Sequence, residues 1–325
     1  MRIVVTGGSG FVGSALIARL AAEGHDVRVL TRNIARARHL AVLPGVEVGV
    51  GNIHESRVLW REFTGADVVV HLVGILNESG RSGRGFTEAH ADLTRKVVEA
   101  AAARGVARLL HMSSLGADAA GAPSHYLRSK GVAEQHVRAA PQSLAWSIFR
   151  PSVIFGAGDS LLNRFAGLLR LSGGWLPLAC ARARFAPVHV GDVVEAFMRC
   201  LPDASHATTS RGAVFELCGP EVITLAELVR RTGEAIGVPA RIVPLPDAIA
   251  RAQGFILDFV PGKPFSTDNY RSLTRDSVCK DPGLARLGIT PASMAAIVPG
   301  YLGPDWQSRA RRSLAASRAN PRTRS

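Results

Sequence analysis

The stretch RIVVTGGSGFVG, residues 2–13, decides the fold of this chain. A short apolar strand runs into a glycine turn, and a helical pattern begins directly after it. The glycines leave room for a pyrophosphate to approach the backbone N–H groups and the helix N-terminus. A glycine-rich turn without a ligand is the alternative, but the position between a strand and a helix favours a dinucleotide site. The residues predicted to contact the dinucleotide here are Gly7, Gly8, Ser9, Gly10, Phe11, Val12 and Gly13.

Beyond this motif, apolar strand-like runs alternate with helical patterns through the first half of the chain. The strands are predicted near Arg2–Thr6, Val27–Thr31, Val46–Val50, Asp67–Val73, Arg108–Ser113 and Ala145–Arg150. The helices between them are predicted near Phe11–Glu23, Ala35–Leu40, Ser56–Phe63, Phe86–Arg104 and His125–Ala139. This alternation predicts an α/β protein, with a Rossmann doubly wound parallel sheet and a smaller C-terminal lobe.

Three regions follow from this pattern. Residues 1–150 are predicted to form an NAD(P)-binding Rossmann domain. Residues 151–305 should supply the remaining Rossmann elements and a lobe for a substrate or partner. They include predicted helices near Leu161–Leu171, Val193–Cys200, Leu225–Ile236 and Asp247–Gln253, and strands near Pro187–Val190 and Val214–Leu217. Residues 306–325 form a basic tail that we expect to be disordered, and the glycine-rich loop Asn77–Gly85 is expected to be mobile.

The composition fits a globular protein, because 47% of the residues are hydrophobic and 20% are charged. No apolar run approaches the ~18–20 residues that span a bilayer, and Met1 leads directly into the first strand. We therefore expect a cytoplasmic protein. The four cysteines lie far apart without a CxxC pair, which predicts buried thiols, no disulfide framework and no metal site.

The net charge of +13 is concentrated in part at the C-terminal end. Six arginines and no acidic residue lie in residues 306–325, so the tail carries nearly half of the excess. Such a tail either touches anionic lipid or an acidic partner, or is a solvated end. A peripheral position at the inner face of a membrane therefore stays open. No nucleic-acid-binding motif accompanies the charge, so no nucleic-acid partner is predicted.

The end of the second strand indicates which dinucleotide is bound. Proteins that prefer NAD commonly place Asp or Glu there, whereas this chain has Thr31-Arg32-Asn33. Because Arg32 can pair with a 2′-phosphate, NADP(H) is favoured over NAD(H), although a surface arginine would look the same. After the third strand, Asn52 and Ile53 are predicted to lie at the adenine. After the fourth, the segment Val73, Gly74 and Ile75 should pass beneath the cofactor.

The segment YLRSK places Tyr126 and Lys130 four residues apart, and hence on one face of a helix. An ammonium near a phenol lowers the pKa of the phenol toward neutral pH, and Lys130 could also hold the nicotinamide ribose. Ser114, at the end of the fifth strand, could orient a substrate carbonyl beside the tyrosine. YxxxK is common by chance, but here it follows a dinucleotide motif and a strand that ends in Ser-Ser.

These motifs resemble the extended branch of the short-chain dehydrogenase/reductase superfamily. The resemblance runs through TGGSGFVG, HMSS, YLRSK, RPSVIFG and PVHVGDV and covers the chain almost to Leu302. HLVGIL, FRPSVIFGAGDSLLNRF and the sequence Ser272–Asp276 followed by LGITP are similar to one subgroup. That subgroup is related to the NADPH-binding accessory subunit of mitochondrial respiratory complex I, and its bacterial relatives are commonly labelled NAD-dependent epimerase/dehydratases.

The resemblance implies roles for individual residues. It implies that Gly7, Gly10 and Gly13 bind the pyrophosphate and that Arg32 binds the adenosine end. Ser114, Tyr126 and Lys130 would form the catalytic centre. The strand ends that would face the cofactor are Met112, Ser113, Pro151 and Ile154.

Two functions are consistent with this resemblance. The intact Ser, Tyr and Lys set favours an NADP(H)-dependent oxidoreductase or epimerase acting on a small carbonyl or hydroxyl compound. The alternative is a non-catalytic NADPH-binding accessory or assembly factor for respiratory complex I or quinone biosynthesis. The chain departs from the extended enzymes at Glu88–Asp92, where they usually place a supporting asparagine. His90 could replace it, but we interpret His90 as a partly exposed helix histidine.

Overall fold

The computed structural model describes residues 1–261 and 263–303, so the predicted basic tail lies outside the described residues. The strands are β1 Arg2–Thr6, β2 Asp26–Thr31, β3 Val46–Val50, β4 Val68–His71, β5 Arg108–Met112, β6 Ala145–Pro151, β7 Ile154–Phe155, β8 Trp175–Leu178, β9 Arg184–Phe185, β10 Val188–His189, β11 Ala213–Leu217, β12 Ile223–Thr224 and β13 Arg241–Pro244. The helices are α1 Phe11–Ala22, α2 Ser56–Glu62, α3 Arg84–Phe86, α4 Leu93–Ala103, α5 His125–Arg138, α6 Leu161–Leu171, α7 Val190–Arg199, α8 Leu225–Ala235, α9 Asp247–Leu257, α10 Thr267–Leu273, α11 Gly283–Arg286 and α12 Met294–Leu302.

Seven of these strands form one parallel sheet in the order β11-β6-β5-β4-β1-β2-β3. The predicted Rossmann sheet is therefore confirmed, and β11 extends it beyond the first half of the chain. The strand order reverses between β1 and β4. In open α/β sheets, ligands bind outside the carboxyl ends of the strands at such a reversal. The glycine turn after β1 lies at this point.

Helices cover both faces of the sheet. On one face α1 and α7 bury residues such as Leu16 and Phe197 against the sheet. On the other face the core includes Leu59 and Val97, from α2 and α4. This double cover explains why β4 is an uninterrupted apolar run, Val68-Val69-Val70, that ends in a buried His71.

Apart from β10, α7, β11 and α11, which pack with the large sheet, the chain after β7 builds a smaller lobe around a second apolar core. This core takes buried side chains from α6, α8 and α12, and two short strand pairs, β8 with β13 and β9 with β12, border it. Within the described residues, no helix combines the length and the apolar character that crossing a membrane requires.

Several local expectations need correction. The helix predicted over Ala35–Leu40 is a short 3-10 turn at Ile34–Ala37, and α9 continues four residues past the predicted Gln253. The helical stretch predicted over Phe86–Arg104 begins at α3 and contains a π-helical turn at Thr87–Asp92 before α4.

The loop Asn77–Gly85, expected to be mobile, is anchored at several points. Buried Glu78 accepts hydrogen bonds from the N–H groups of Gly83 and Gly85, at 2.7 and 2.8 Å. Asn77 and Lys263 connect this loop to the segment that follows α9.

The expectation of four thiols is also wrong. Cys218, directly after β11, forms a disulfide with Cys279, 61 residues later. The pairing depends on a contact that spacing does not reveal, because the side chain of Glu216 accepts from the backbone N–H of Lys280 at 2.7 Å. Cys180 and Cys200 remain free, and burial raises the pKa of the Cys200 thiol to about 11.

Candidate functional site

The glycine turn after β1 brings two backbone segments closer than side chains would permit. Gly7 has φ +78°, and a Cβ placed there would lie 2.9 Å from the carbonyl carbon of Leu72 and the nitrogen of Val73. A Cβ on Gly13 would lie 2.5 Å from the carbonyl oxygen of Gly8. The turn therefore packs directly against the end of β4 at the strand reversal.

The N-terminus of α1 is open to an anion. Its N-cap is Gly10, which has no side chain to accept from the first-turn N–H groups, and no acidic residue lies in that turn. Uncapped N–H groups and the helix dipole bind phosphate oxygens. The turn therefore fits the diphosphate of a dinucleotide. Phe11 and Val12 are half-buried at this helix start, and the ring of Phe11 lies beside Gly156 after β7.

At the end of β2, Arg32 is exposed and makes no ion pair within the described part of the chain. The side chain of Asn33 accepts from the N–H of Ala35 and caps the 3-10 turn. The guanidinium is therefore available to a phosphate.

The two residues predicted at the adenine lie after β3 in different environments. Asn52 is exposed and accepts from the N–H of His54 at 3.2 Å. Ile53 is buried in the core, so only its backbone can face a ligand.

Lys130 is buried beneath the strand ends. Its Nζ donates to the carbonyl oxygens of Met112, at 3.0 Å, and Val73, at 3.4 Å. A Cβ on Gly74 would lie 3.3 Å from the same nitrogen, so glycine gives the lysine its space. Burial lowers the pKa of Lys130 to about 8, with Glu134 acting in the opposite direction. An ammonium has three N–H donors, so one remains for a ligand hydroxyl.

Tyr126 lies one helical turn before Lys130 on α5 and is half-buried. Burial raises the pKa of its phenol, and the neighbouring Ser114 hydroxyl opposes that rise. Lys130, which was expected to lower this pKa, is not among the causes of the shift, and burial has the largest effect. Tyr126 is therefore a protonated phenol at neutral pH.

His90 is the main correction at the site, because it is buried rather than partly exposed. It lies in the π-helical turn, a feature frequent at functional sites. Its Nε2 accepts from the N–H of Ile75 at 3.0 Å, so the proton of the neutral ring is on Nδ1. Nδ1 then donates to Ser129, at 2.8 Å, and Ser129 donates to the carbonyl oxygen of Tyr126. Burial lowers the pKa of His90 to about 2.

A buried carboxylate fixes α5 to the sheet. Ser113 donates to Glu134 at 2.6 Å, and Arg150 forms two hydrogen bonds with the same carboxylate. The Ser113 side chain therefore points at Glu134, and it positions the tyrosine helix rather than facing a cofactor. Pro151 is buried and Ile154 is half-buried beyond this network.

Two further histidines below the site were not singled out from the sequence. His71 at the end of β4 contacts Thr6 and Thr94 through its two ring nitrogens, at 2.7 and 3.1 Å. His111 stacks on it with a centroid distance of 5.3 Å. Burial lowers the pKa of His71 to about 3, so it stays neutral and connects β1, β4 and α4. The sequence signal that could have identified both residues is a histidine at the end of an apolar strand.

Arginines after β7 could have marked a phosphate site for a substrate. Arg184 pairs with Asp276 at 2.7 Å and lines a cavity of about 840 Å³ together with Arg150 and Arg275. Arg164 donates to the carbonyl oxygen of Pro264, and Arg182 is exposed. The cavity lining includes Leu115 but none of Ser114, Tyr126 and Lys130.

Comparison with known proteins agrees with this geometry. The model of the NAD dependent epimerase/dehydratase family matches residues 3–211, which is more than half of the chain. The chain belongs to this family. The mitochondrial NADH dehydrogenase [ubiquinone] 1 alpha subcomplex subunit 9 of Arabidopsis thaliana is 31% identical, over 86% of this chain and 71% of the relative. Ceramide reductase of Caulobacter vibrioides is 33% identical, over 79% of this chain and 77% of the relative.

Among solved structures, the dTDP-glucose 4,6-dehydratase DesIV from Streptomyces venezuelae, a double mutant with NAD and DAU bound, has a TM-score of 0.72. It is 24% identical and covers 96% of this chain and 98% of its own. At this identity the likeness supports the shared fold alone.

The close approach at Gly7 can be separated from its backbone strain with a matched control. Gly7 and Gly24 both have φ +78°, but nothing lies within 4 Å of a Cβ on Gly24. Gly24→Ala should cost about 1 kcal/mol of unfolding free energy. Gly7→Ala should cost more and weaken NADPH binding about tenfold, roughly 1.4 kcal/mol. Urea unfolding and fluorescence titration measure both, and equal effects of the two variants would contradict the packing argument.

The buried Lys130 predicts a pH dependence of stability. Its pKa is about 8 in the fold against 10.5 as the ordinary value, so the unfolded chain binds the proton more tightly. The contribution of Lys130 to the free energy of unfolding should therefore rise by about 3 kcal/mol as pH increases from about 8 to about 10.5. The free energy of unfolding of the wild type minus that of Lys130→Met should increase over this window. A difference independent of pH would show that Lys130 is not desolvated.

Proposed function

We propose that the chain is an NADP(H)-dependent oxidoreductase or epimerase that acts on a small carbonyl or hydroxyl compound. The observation that carries this proposal is that Lys130, one turn after Tyr126 on α5, donates to the carbonyl oxygen of Val73, which lies against the uncapped glycine turn. The Ser114 hydroxyl neighbours the phenol of Tyr126. The glycine turn lies at the strand reversal, where α/β sheets bind nucleotides. The reductase among the relatives supports this assignment.

In this proposal each side chain has a separate role. Lys130 donates its free N–H to the ribose and stays mostly protonated at pH 7, since its pKa is about 8. Ser114 holds the substrate oxygen, and Tyr126 donates a proton to it. NADP(H), when bound, supplies or accepts the hydride. Burial raises the pKa of Tyr126, so the phenol carries at neutral pH the proton that reduction of a carbonyl requires.

His90 acts in this scheme as a positioning residue. It fixes the N–H of Ile75 beneath the cofactor segment and, through Ser129, the backbone of Tyr126. The extended enzymes usually have a supporting asparagine at this place. Its side chain and a neutral histidine ring each contain one hydrogen-bond acceptor and at least one donor. The neutral ring is therefore a workable replacement.

A second candidate is a non-catalytic NADPH-binding accessory factor at a membrane or a respiratory complex. The 31% identity to the Arabidopsis subunit, over 86% of this chain, favours it. Under this candidate the nucleotide stabilises the fold, and the Tyr126 hydroxyl is dispensable. Co-purification with the respiratory complex would support it.

Replacing the phenol separates the two candidates. Tyr126→Phe keeps the ring, so NADPH affinity should change less than about threefold, whereas turnover should fall about a thousandfold. NADPH oxidation on a panel of carbonyl compounds measures the second effect. A purified protein that binds NADPH, shows no turnover and keeps its cellular role as Tyr126→Phe would support the accessory factor instead.

The cofactor preference rests on Arg32. Arg32→Glu should weaken NADPH binding by about 10- to 100-fold and leave NADH binding nearly unchanged, since only NADPH carries the 2′-phosphate. Arg104→Glu is the matched control, because it makes the same charge change at an exposed residue before the amino end of β5, whereas Arg32 follows the carboxyl end of β2. Equal losses for both nucleotides, or equal losses in both variants, would contradict this preference.

A further inference from the structure

The segment after β13 exposes an unusual amount of apolar surface. Five large side chains within twelve residues are 39–67% exposed, and we call them the α9 patch: Ile249, Phe255, Ile256, Phe259 and Val260. Exposed apolar residues on a soluble protein are normally scattered singly. The opposite face of α9 is buried through Ala250 and Gly254, so the outward apolar face is not needed for the core.

The charges around the α9 patch have one dominant sign. Over residues 77–86 and 247–273, leaving aside residue 262, the exposed cations are Arg81, Arg84, Arg251 and Arg271, of which Arg81 pairs with Asp258 at 3.3 Å. Arg81 lies over the rings of Phe255 and Phe259, 4.6 and 5.1 Å from their centroids.

The carboxylates of the same two segments are mostly occupied inside the protein. Glu78 is buried against the N–H groups of Gly83 and Gly85, and Asp258 is buried against Thr267. Asp247 is the only exposed carboxylate in these described ranges, since Asp268 is half-buried, and it accepts from the Tyr270 hydroxyl. The surface is therefore complementary to an anionic plane rather than to a basic one.

The α9 patch borders the tyrosine site. Asp268, on the helix packed against α9, accepts from the backbone N–H groups of His125 and Tyr126, at 2.7 and 3.0 Å. Asn269 donates to the carbonyl oxygen of Leu76, whose own side chain is 63% exposed in the loop after the cofactor segment. Whatever the α9 patch contacts therefore lies close to the entrance of the proposed active site.

We propose that the α9 patch docks on the surface of an anionic lipid bilayer. The aromatic and aliphatic side chains enter the boundary between headgroups and acyl chains, and the arginine guanidinium groups contact lipid phosphates. Docking in this orientation turns the Tyr126 end of α5 toward the lipid. A carbonyl compound with a long apolar chain is then the substrate class, and this last step rests on the proposed function.

Vesicle flotation of the full chain tests the docking. Vesicles of phosphatidylcholine with about 30% phosphatidylglycerol should carry the protein, and pure phosphatidylcholine should carry much less. Phe255→Ser combined with Phe259→Ser should lower the partition coefficient about tenfold. Val42→Ser combined with Trp60→Ser is the matched control, since these exposed side chains lie before β3 and in α2, outside α9 and the segment that follows it. This control should float like the wild type.

The basic tail is present in all three proteins, so attraction through the tail alone would give equal flotation and overturn the proposal. Binding of a second copy of the chain to the α9 patch, instead of lipid, would also overturn the proposal. Sedimentation would then show a wild-type dimer that Phe255→Ser with Phe259→Ser converts to a monomer. If that double variant unfolds, the variant Phe259→Trp supplies the measurement. Brominated lipid should quench the fluorescence of the tryptophan at position 259 more than that of the tryptophan in Val42→Trp. Equal quenching in the two variants would contradict docking.

The two proposals fail separately. NADPH titration and turnover without vesicles measure the proposed function alone. In these two assays Phe255→Ser with Phe259→Ser, and Phe259→Trp, should behave like the wild type. Loss of nucleotide binding by the wild-type protein would overturn the proposed function and leave flotation readable. With vesicle-borne ketones of increasing chain length, kcat/KM should rise in the wild type and rise less in the patch variant. A flat series in the wild type would overturn the substrate class.

Discussion

The site depends on one steric constraint, the backbone contact between Gly7 and the segment Leu72–Val73. Any Cβ at Gly7 would force apart the ends of β1 and β4, where the strand order reverses. The carbonyl oxygen of Val73, placed by that contact, is also a partner of the Lys130 ammonium. The phosphate-binding turn and the lysine are therefore coupled through the same short segment, and the position of α5 depends on a strand that is distant in sequence.

Sequence patterns predicted the parts of this protein that are locally determined. The glycine turn, the six strands of the first half and the spacing of Tyr126 and Lys130 each follow from residues close together in the chain. The lobe after β7 was less predictable, since its strand pairs are two to four residues long and join distant segments. The disulfide of Cys218 and Cys279 has the same origin in a long-range contact.

The chemistry of the site was harder to predict from the sequence than the identity of the residues that form it. A YxxxK spacing shows that a phenol and an ammonium share a helix face, but it does not show where the ammonium donates. Carbonyl oxygens of Val73 and Met112 take two of the three donors of Lys130, and the phenol pKa is raised by burial. His90 was misjudged for a similar reason. Its burial follows from a π-helical turn and from packing against α5, and neither leaves a periodicity signal in the sequence.

The exposed apolar side chains of the α9 patch raise the risk of association, and the fold alone does not explain their presence. Serine or glutamine on the outward face of α9 would keep its buried contacts through Ala250 and Gly254 and would lower the risk of association. The same segment is nevertheless tied to the amide groups at the start of α5 through Asp268. Under the proposed function, an apolar surface that α10 connects to the start of α5 is useful when the substrate is poorly soluble in water. The protein would then reach its substrate at an interface, and the exposed rings would be part of the route by which it does so.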